Sequence, residues 1–445
     1  MTALEDRFRE GNPRSLEQFE YLREYTPGGV AKNAYYFKPF PLTIDRGEGC
    51  YMFDIDGHQY VDFVNHHTGQ ILGHGHPAVM DAVKRQMERG IAIAAPMGHE
   101  KDICAEMCQR VTSLDRIRFV NSGTEATLHP IRLARGSSGK PKIAKFEGGY
   151  HGSHDAVEIS VGPPLDKAGP ADAPLPVAQT GGMSPHAVKE VVILPYSNVD
   201  AVERIIAANK DDLACVIMDP KAGILEISRE FVQAVREITR RHGLIMIFDE
   251  IVGFRAGYGG AQEYFGIEPD LTCYGKIVGG GFPVGAFGGR ADLMDLFDPM
   301  EPNGFGQSGT YSANPITMAA GLAMLRALTP AAFEHLNGLS ERLKNGLNDM
   351  FARKGVDAIS VSLGSVFSFY FTDEKELKDY RSMARNDREM TQQVFLSLLE
   401  QGYYLSFGLG MCAICLPTEE RHIDGLIEAV DKAIDEVEKS RGKLL

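Results

Sequence analysis

The chain has 445 residues, enough for about two domains and a large core. A formal charge of −14 with a pI near 5.5 weighs against nucleic acid or an anionic membrane as partner, since either would select a basic face. No run approaches the roughly 20 apolar residues of a membrane span, MTALEDRFRE lacks the apolar stretch of a secretory signal, and seven scattered cysteines read as free thiols, so a cytoplasmic protein with a small-molecule partner is expected.

In chain order, DRGEGCYMFDIDGHQYVDF at 45–63 predicts a hairpin turning at Asp56-Gly57. Gly-His-Gly-His-Pro at 73–77 reads as a turn entering a helix. His66-His67, His74 with His76, and His151 with His154 have neither an HExxH pattern nor a matching cysteine set, so no metal is expected. Short apolar runs then alternate with helical patterns: 117–120, 142–146, 191–196, 213–219, 244–250 and 271–275. This alternation predicts an α/β domain with a mostly parallel sheet covered on both faces. Residues 160–190, rich in Pro, Gly, Ala and Asp, read as a linker that is either a lid or disordered. In EFVQAVREITRRHG, Phe231, Val235 and Ile238 share one helix face, and Gly243 follows a basic last turn as a cap. The pair Cys412 and Cys415 lies in an apolar run and reads as buried strand cysteines, and 421–440 is an amphipathic helix. The chain ends are expected to build a smaller α+β domain from 1–64 and 326–445, beside a large domain over 65–325.

Three places carry candidate chemistry. Asn121-Ser122-Gly123-Thr124 follows a strand and opens a helix, where free N–H groups and hydroxyls suit a phosphate or serve as an ordinary N-cap. Asp249 stands at the C-terminal end of the strand LIMIF, where ligands of open α/β sheets bind. A buried carboxylate there needs a cation, supplied either by a ring nitrogen or by a salt bridge, for instance to Arg255. Lys276 follows LTCYG and precedes three glycines. Out of water beside a positive group, its amine would lose its proton and become a nucleophile, whereas a typical lysine is a solvated surface residue.

NSGTEATLHPIRLARG, FEGGYHGSHD, FDEIVGFR, YGKIVGGGFPVGAFGGR and SGTYSANPITMAAG, in that order, resemble the successive signatures of class III, fold type I aminotransferases that use pyridoxal 5′-phosphate (PLP). The nearest branch holds glutamate-1-semialdehyde aminomutase and the β-amino-acid aminotransferases. The resemblance implies that Lys276 holds PLP as a Schiff base and shuttles a proton, and that Asp249 faces the ring nitrogen. It implies that Ser122, Gly123 and Thr124 hold the phosphate, joined by Thr310 of a neighbouring subunit in a homodimer with shared sites. Tyr150 and Ile251 would cover the two ring faces, with His151 beside them as a structural residue.

The sequence also departs from its relatives. Asp219-Pro220-Lys221 replaces the commoner Glu-Pro-Val, FDEIVGFR is one residue shorter than the aminomutase form, and SFGLGMCAICLP at 406–417 lacks the aminomutase glutamate. PFPLTIDRGEG at 39–49 and FGGRADLMDLFDP at 287–299 match the β-amino-acid branch, but Lys32 and Phe407-Gly408-Leu409-Gly410 stand where its substrate arginines are expected. Lys32 and Lys221 are thus the candidates for binding a substrate carboxylate, as point charges without arginine's two-bond grip. The leading expectation is an aminotransferase moving an amino group from an amino acid, such as a β-amino acid, or an amine to a keto acid or aldehyde. The alternative is an isomerase, either an aminomutase like the glutamate-1-semialdehyde enzyme or an amino-acid racemase. A noncatalytic PLP-binding protein is a third reading.

Overall fold

The computed structural model describes residues 2–442. Three sheets contain strands β1 (Ile44–Glu48), β2 (Tyr51–Asp54), β3 (Gln59–Asp62), β4 (Arg116–Val120), β5 (Lys142–Phe146), β6 (Val191–Leu194), β7 (Leu213–Met218), β8 (Ile245–Asp249), β9 (Leu271–Gly275), β10 (Gly285–Gly289), β11 (Ala358–Leu363), β12 (Val366–Phe371), β13 (Tyr403–Tyr404) and β14 (Cys412–Ala413). The central sheet has seven strands in the order β4-β10-β9-β8-β7-β5-β6. β6, β5, β7, β8 and β9 pair in parallel, while β10 runs antiparallel between β9 and β4.

Each apolar run expected as a strand lies in this sheet. β7 and β9 are buried along their whole length, as strands covered on both faces must be. β10 is the strand that the sequence reading did not include. Its residues, GAFGG, have little strand propensity, and the glycines answer to packing: a side chain at Gly285 would run into the Ser122 carbonyl, and one at Gly288 into that of Arg116.

The helix expected around Phe231 spans Arg229–Arg241. Ser228 caps its start, its Oγ accepting from Phe231 N at 3.1 Å, and Gly243 follows at φ 62°. The histidine-rich turn leads into Pro77–Met87 with proline in the first turn. The 160–190 stretch folds back on itself: Ser160 N donates to Val177 O, and Arg381 donates to the carbonyls of Ala168, Gly169 and Pro170 while also gripping Glu147. Arginine from a distant segment thus orders a sequence whose own composition would not.

Both ends of the chain meet away from the central sheet. β1, β2 and β3 form a four-stranded sheet completed by β13, which pairs in parallel with β3. β11, β12 and β14 form a three-stranded antiparallel sheet. Arg7 in the first helix reaches Glu400 and Glu436. Cys412 and Cys415 are buried and unbonded. Among the described residues no single helix is long and apolar enough to cross a membrane.

Candidate active site

The C-terminal ends of β4, β5, β7, β8 and β9 carry Asn121, Glu147, Asp219, Asp249 and Lys276, the last two each ending or following its strand directly. Parallel strands bring all these ends to one edge, where the strand backbone stops and side chains and helix N-termini face the same space.

Asp249 is 4% exposed. One carboxylate oxygen accepts from Ile251 N at 3.1 Å, and the other lies 2.7 Å from His151 Nδ1. Burial pushes the Asp249 carboxyl up to about 7, against the pull of the Ile251 N–H and the positive charges of Lys221 and Lys276. His151 cannot supply a balancing charge: burial pushes its imidazole down to about 3, so it stays neutral and offers an N–H. A cation placed at this carboxylate would hold it ionised, and a protonated ring nitrogen is such a cation. Arg255 does not pair with Asp249. Its guanidinium donates to Thr68 O at 2.8 Å, Ile414 O at 2.5 Å and Ser365 Oγ at 2.9 Å.

Lys276 sits at φ 50°, and its Nζ donates to the carbonyl of His67 at 2.7 Å. Burial lowers its amine to about 8 despite the opposing charge of Asp249, with Arg255 adding to the fall. More of it is therefore the free amine near neutrality than in an ordinary lysine, as a nucleophile requires.

Ser122 caps the helix Gly123–Ser138, its Oγ accepting from Glu125 N at 3.2 Å. The N–H groups of Gly123 and Thr124 open the helix and have no acceptor within it, so they remain suited to an anion. The space is tight. A side chain at Gly123 would come 2.9 Å from Ile251 Cδ1, and one at Gly152 would come 2.7 Å from Thr124 Cα. The fold thus gathers Ser122, Gly123, Thr124, His151, Asp249, Ile251 and Lys276. Tyr150, one residue from His151, is 55% exposed, and Thr310 lies exposed on a segment whose Gly309 abuts Asn121.

The two substrate candidates differ. Lys221 is 7% exposed, its Nζ donating to Gly148 O at 2.8 Å and lying 3.2 Å from Asp219, so it acts within the floor of the site. Lys32 is exposed and rests over the Tyr35 ring at 4.3 Å, beside His67, which stacks on the same ring. Tyr35, His66, His67, Phe37 and Phe407 line a largely apolar cavity of about 470 Å³.

One side chain of the site escaped the sequence reading. Lys145, on β5, is fully buried, and its Nζ donates to Gly149 O at 2.7 Å and to Ile159 O, fixing the backbone just before Tyr150. Burial and the charge of Lys221 hold its amine well below the usual lysine range. The alternation in KIAKF offers a signal, since it puts a lysine among buried strand positions. Arg255, expected as a salt-bridge partner of Asp249, bonds backbone carbonyls and a hydroxyl instead.

A free aldehyde-reactive amine, a buried carboxylate short of a cation and unengaged N–H groups at a helix start fit the three handles of PLP. Among the described residues no cluster of three or more His, Cys, Asp or Glu is arranged for a metal.

Residues 33–434 match the family model described as Aminotransferase class-III. The chain is 37% identical over 428 residues to a glutamate-1-semialdehyde 2,1-aminomutase of Methanocaldococcus jannaschii, covering 95% of this chain and 97% of the relative. An omega-transaminase from Sphaerobacter thermophilus superposes with a TM-score of 0.91 at 38% identity, over 95% of this chain and 97% of that one. A β-phenylalanine aminotransferase from Variovorax paradoxus gives 0.87 at 32% identity, over 97% and 96%. The curated relatives carry the aminomutase name and so back the isomerase alternative better than the transaminase reading placed first.

Proposed function

The chain belongs to the class III aminotransferase family of PLP-dependent enzymes, and from that premise we propose that it relocates an amino group on a small carbonyl-bearing amino compound, by isomerisation of the glutamate-1-semialdehyde type. The names of the curated relatives favour this isomerisation. The amino-group chemistry common to both readings rests on one observation, the buried Asp249 carboxylate and the pKa-lowered Lys276 amine at adjacent strand ends.

When bound, PLP supplies an aldehyde carbon for the amine and a ring that withdraws electrons from the substrate carbon. The chain's residues do the rest. Asp249, oriented by His151 and the Ile251 N–H, would hold a proton on the ring nitrogen. The Lys276 amine would hold the cofactor and, once released, would take a proton from the substrate carbon and return it. Ser122, Gly123 and Thr124 would hold the phosphate, with Tyr150 and Ile251 beside the ring. The exposed Tyr150 and Thr310 support a site completed by a second copy of the chain, and seven unbonded cysteines support a cytoplasmic setting.

Transamination of a β-amino acid or related amine to a keto acid or aldehyde is the second reading, favoured by the apolar cavity beside Lys32 and by the likeness to the two transaminase structures. Incubating the holoenzyme with glutamate-1-semialdehyde and analysing the products separates them, because the aldehyde of this compound can itself accept an amine. Sustained conversion to the positional isomer, with its amine on the terminal carbon and a ketone at the α-carbon, supports the isomerase. Accumulation of separate dicarbonyl and diamino products in equal amounts supports the transaminase.

A further inference from the structure

Residues 65–68 form a turn that no sequence rule would place here. Asn65, His66, His67 and Thr68 have φ values of 48°, 51°, 51° and 71°, four successive side-chain-bearing residues in the left-handed region. Side-chain-bearing residues adopt this region at a cost, and the β-branched Thr68 is the least suited of them. Such a turn persists only where its surroundings over-determine it. Asp62 Oδ1 accepts from Val64 N at 2.8 Å and Asn65 N at 2.9 Å, and Asn65 Nδ2 donates to Ala413 O at 2.5 Å. Backbone bonds from Thr68 N to Val64 O and from Gln70 N to Asn65 O close it, and Arg255 holds its end, donating from Nη1 to Thr68 O.

The carbonyl just before, that of His67, receives the Lys276 amine. Arg255 and Lys276 therefore donate to successive carbonyls of one strained turn. Arg255 is 1% exposed, and its bonds go to two backbone carbonyls and a hydroxyl, with no carboxylate among the described residues. No carboxylate pairs with it directly, and Asp62 is the acid that acts on it from nearby. Resting on the reading that Lys276 carries the cofactor, we propose that Arg255 is a positioning residue for Lys276: it clamps the left-handed turn whose His67 carbonyl receives the amine, and its positive charge disfavours protonation of the Lys276 nitrogen.

The groups facing Lys276 from the elements around it are Asp249 at the end of β8, Asp219 beyond β7, Arg255, Lys32 from the N-terminal segment, and the His66 and His67 rings of the turn itself. The two acids favour the ammonium. Asp249 is answered by a ring N–H once cofactor is present, and the exposed Lys32 is screened by water. Arg255, buried and unscreened, then dominates the field at the amine.

The test is a pH titration of the visible absorbance band of the lysine-held cofactor in purified holoenzyme, for wild type, Arg255→Gln and Arg255→Lys, alongside kcat and KM. Arg255→Gln removes the charge and is expected to raise the midpoint by about one pH unit. A wild-type midpoint in that variant overturns the proposal. Arg255→Lys keeps the charge but not the planar fork that spans two carbonyls, so the midpoint should hold while kcat falls about tenfold with KM unchanged. If the glutamine variant fails to fold, the lysine variant decides, and a wild-type kcat in it overturns the clamp. Loss of the band in Lys276→Ala keeps the proposed function standing whichever way the Arg255 variants behave; persistence of the band there would remove that function and this inference together.

Discussion

At the floor of the site Asp249 is 4% exposed and held by two donors, and Lys221 is locked between Asp219 and the Gly148 carbonyl; at the rim Lys32 is exposed and rests on Tyr35 alone. The floor stands on five strand ends of one sheet, whereas the rim is assembled from the N-terminal segment, the 65–68 turn and the 404–407 segment. The difference separates two tasks. Cofactor chemistry requires fixed charges in low dielectric, so its residues are over-constrained. Substrate choice is left to side chains that can be exchanged at small cost to the fold.

The contrast breaks most directly at Lys276. Lys276→Ala should abolish the visible band and lower kcat by more than about 1000-fold with the fold intact, as read by absorbance, steady-state rates and circular dichroism. Retained turnover would show that the floor does not carry the chemistry. Asp249→Asn should follow with a loss of about 100-fold or more in kcat, because an amide cannot hold the ring nitrogen protonated. Its effect on KM should be small, and a change confined to KM would move Asp249 from the floor's role to the rim's.

Capture of PLP by the apoenzyme should quicken about tenfold per pH unit as pH rises toward about 8 and level off above it. The sign follows from the amine: the protonated form, dominant below that pH, has no lone pair for the aldehyde. Stopped-flow absorbance across pH 6–10 reads the profile, and a rate that falls with rising pH would contradict the lowered amine. The smallest effect is expected at the rim. Lys32→Met should raise KM for a carboxylate-bearing substrate by about tenfold, leave kcat within twofold and leave the corresponding amine without a carboxylate unaffected. Equal losses for both compounds would show that Lys32 does not read the carboxylate.

The same contrast explains what the amino-acid order reveals. β4, β5, β7, β8 and β9 announce themselves as apolar runs, and Asp249, Lys276 and Ser122 stand out because they end or follow those runs. β10 stays hidden because its glycines serve contacts with Ser122 and Arg116, not strand propensity. The 65–68 turn is unreadable for a stronger reason: histidine and threonine disfavour the left-handed region, and what holds them there, Arg255 and Ala413, lies far along the chain. The 160–190 stretch is ordered by Arg381, again a distant partner. Lys221, a candidate for binding a substrate carboxylate, lies in the floor, with Asp219 and the Gly148 carbonyl within its reach. The isomerase and transaminase readings share every floor residue, so nothing at strand ends could separate them.

The bond from Arg7 to Glu400 joins positions 393 apart, and β3 waits for β13 to pair beside it. A ribosome adding about 5–20 residues per second delivers the second partner roughly 20–80 s after the first. During that interval the first strands have one edge open, while the central sheet gains its last member with residues 285–289. A nascent chain halted between residues 289 and 403 would therefore own a nearly complete cofactor floor and an unfinished end, the form on which chaperones would be expected to act.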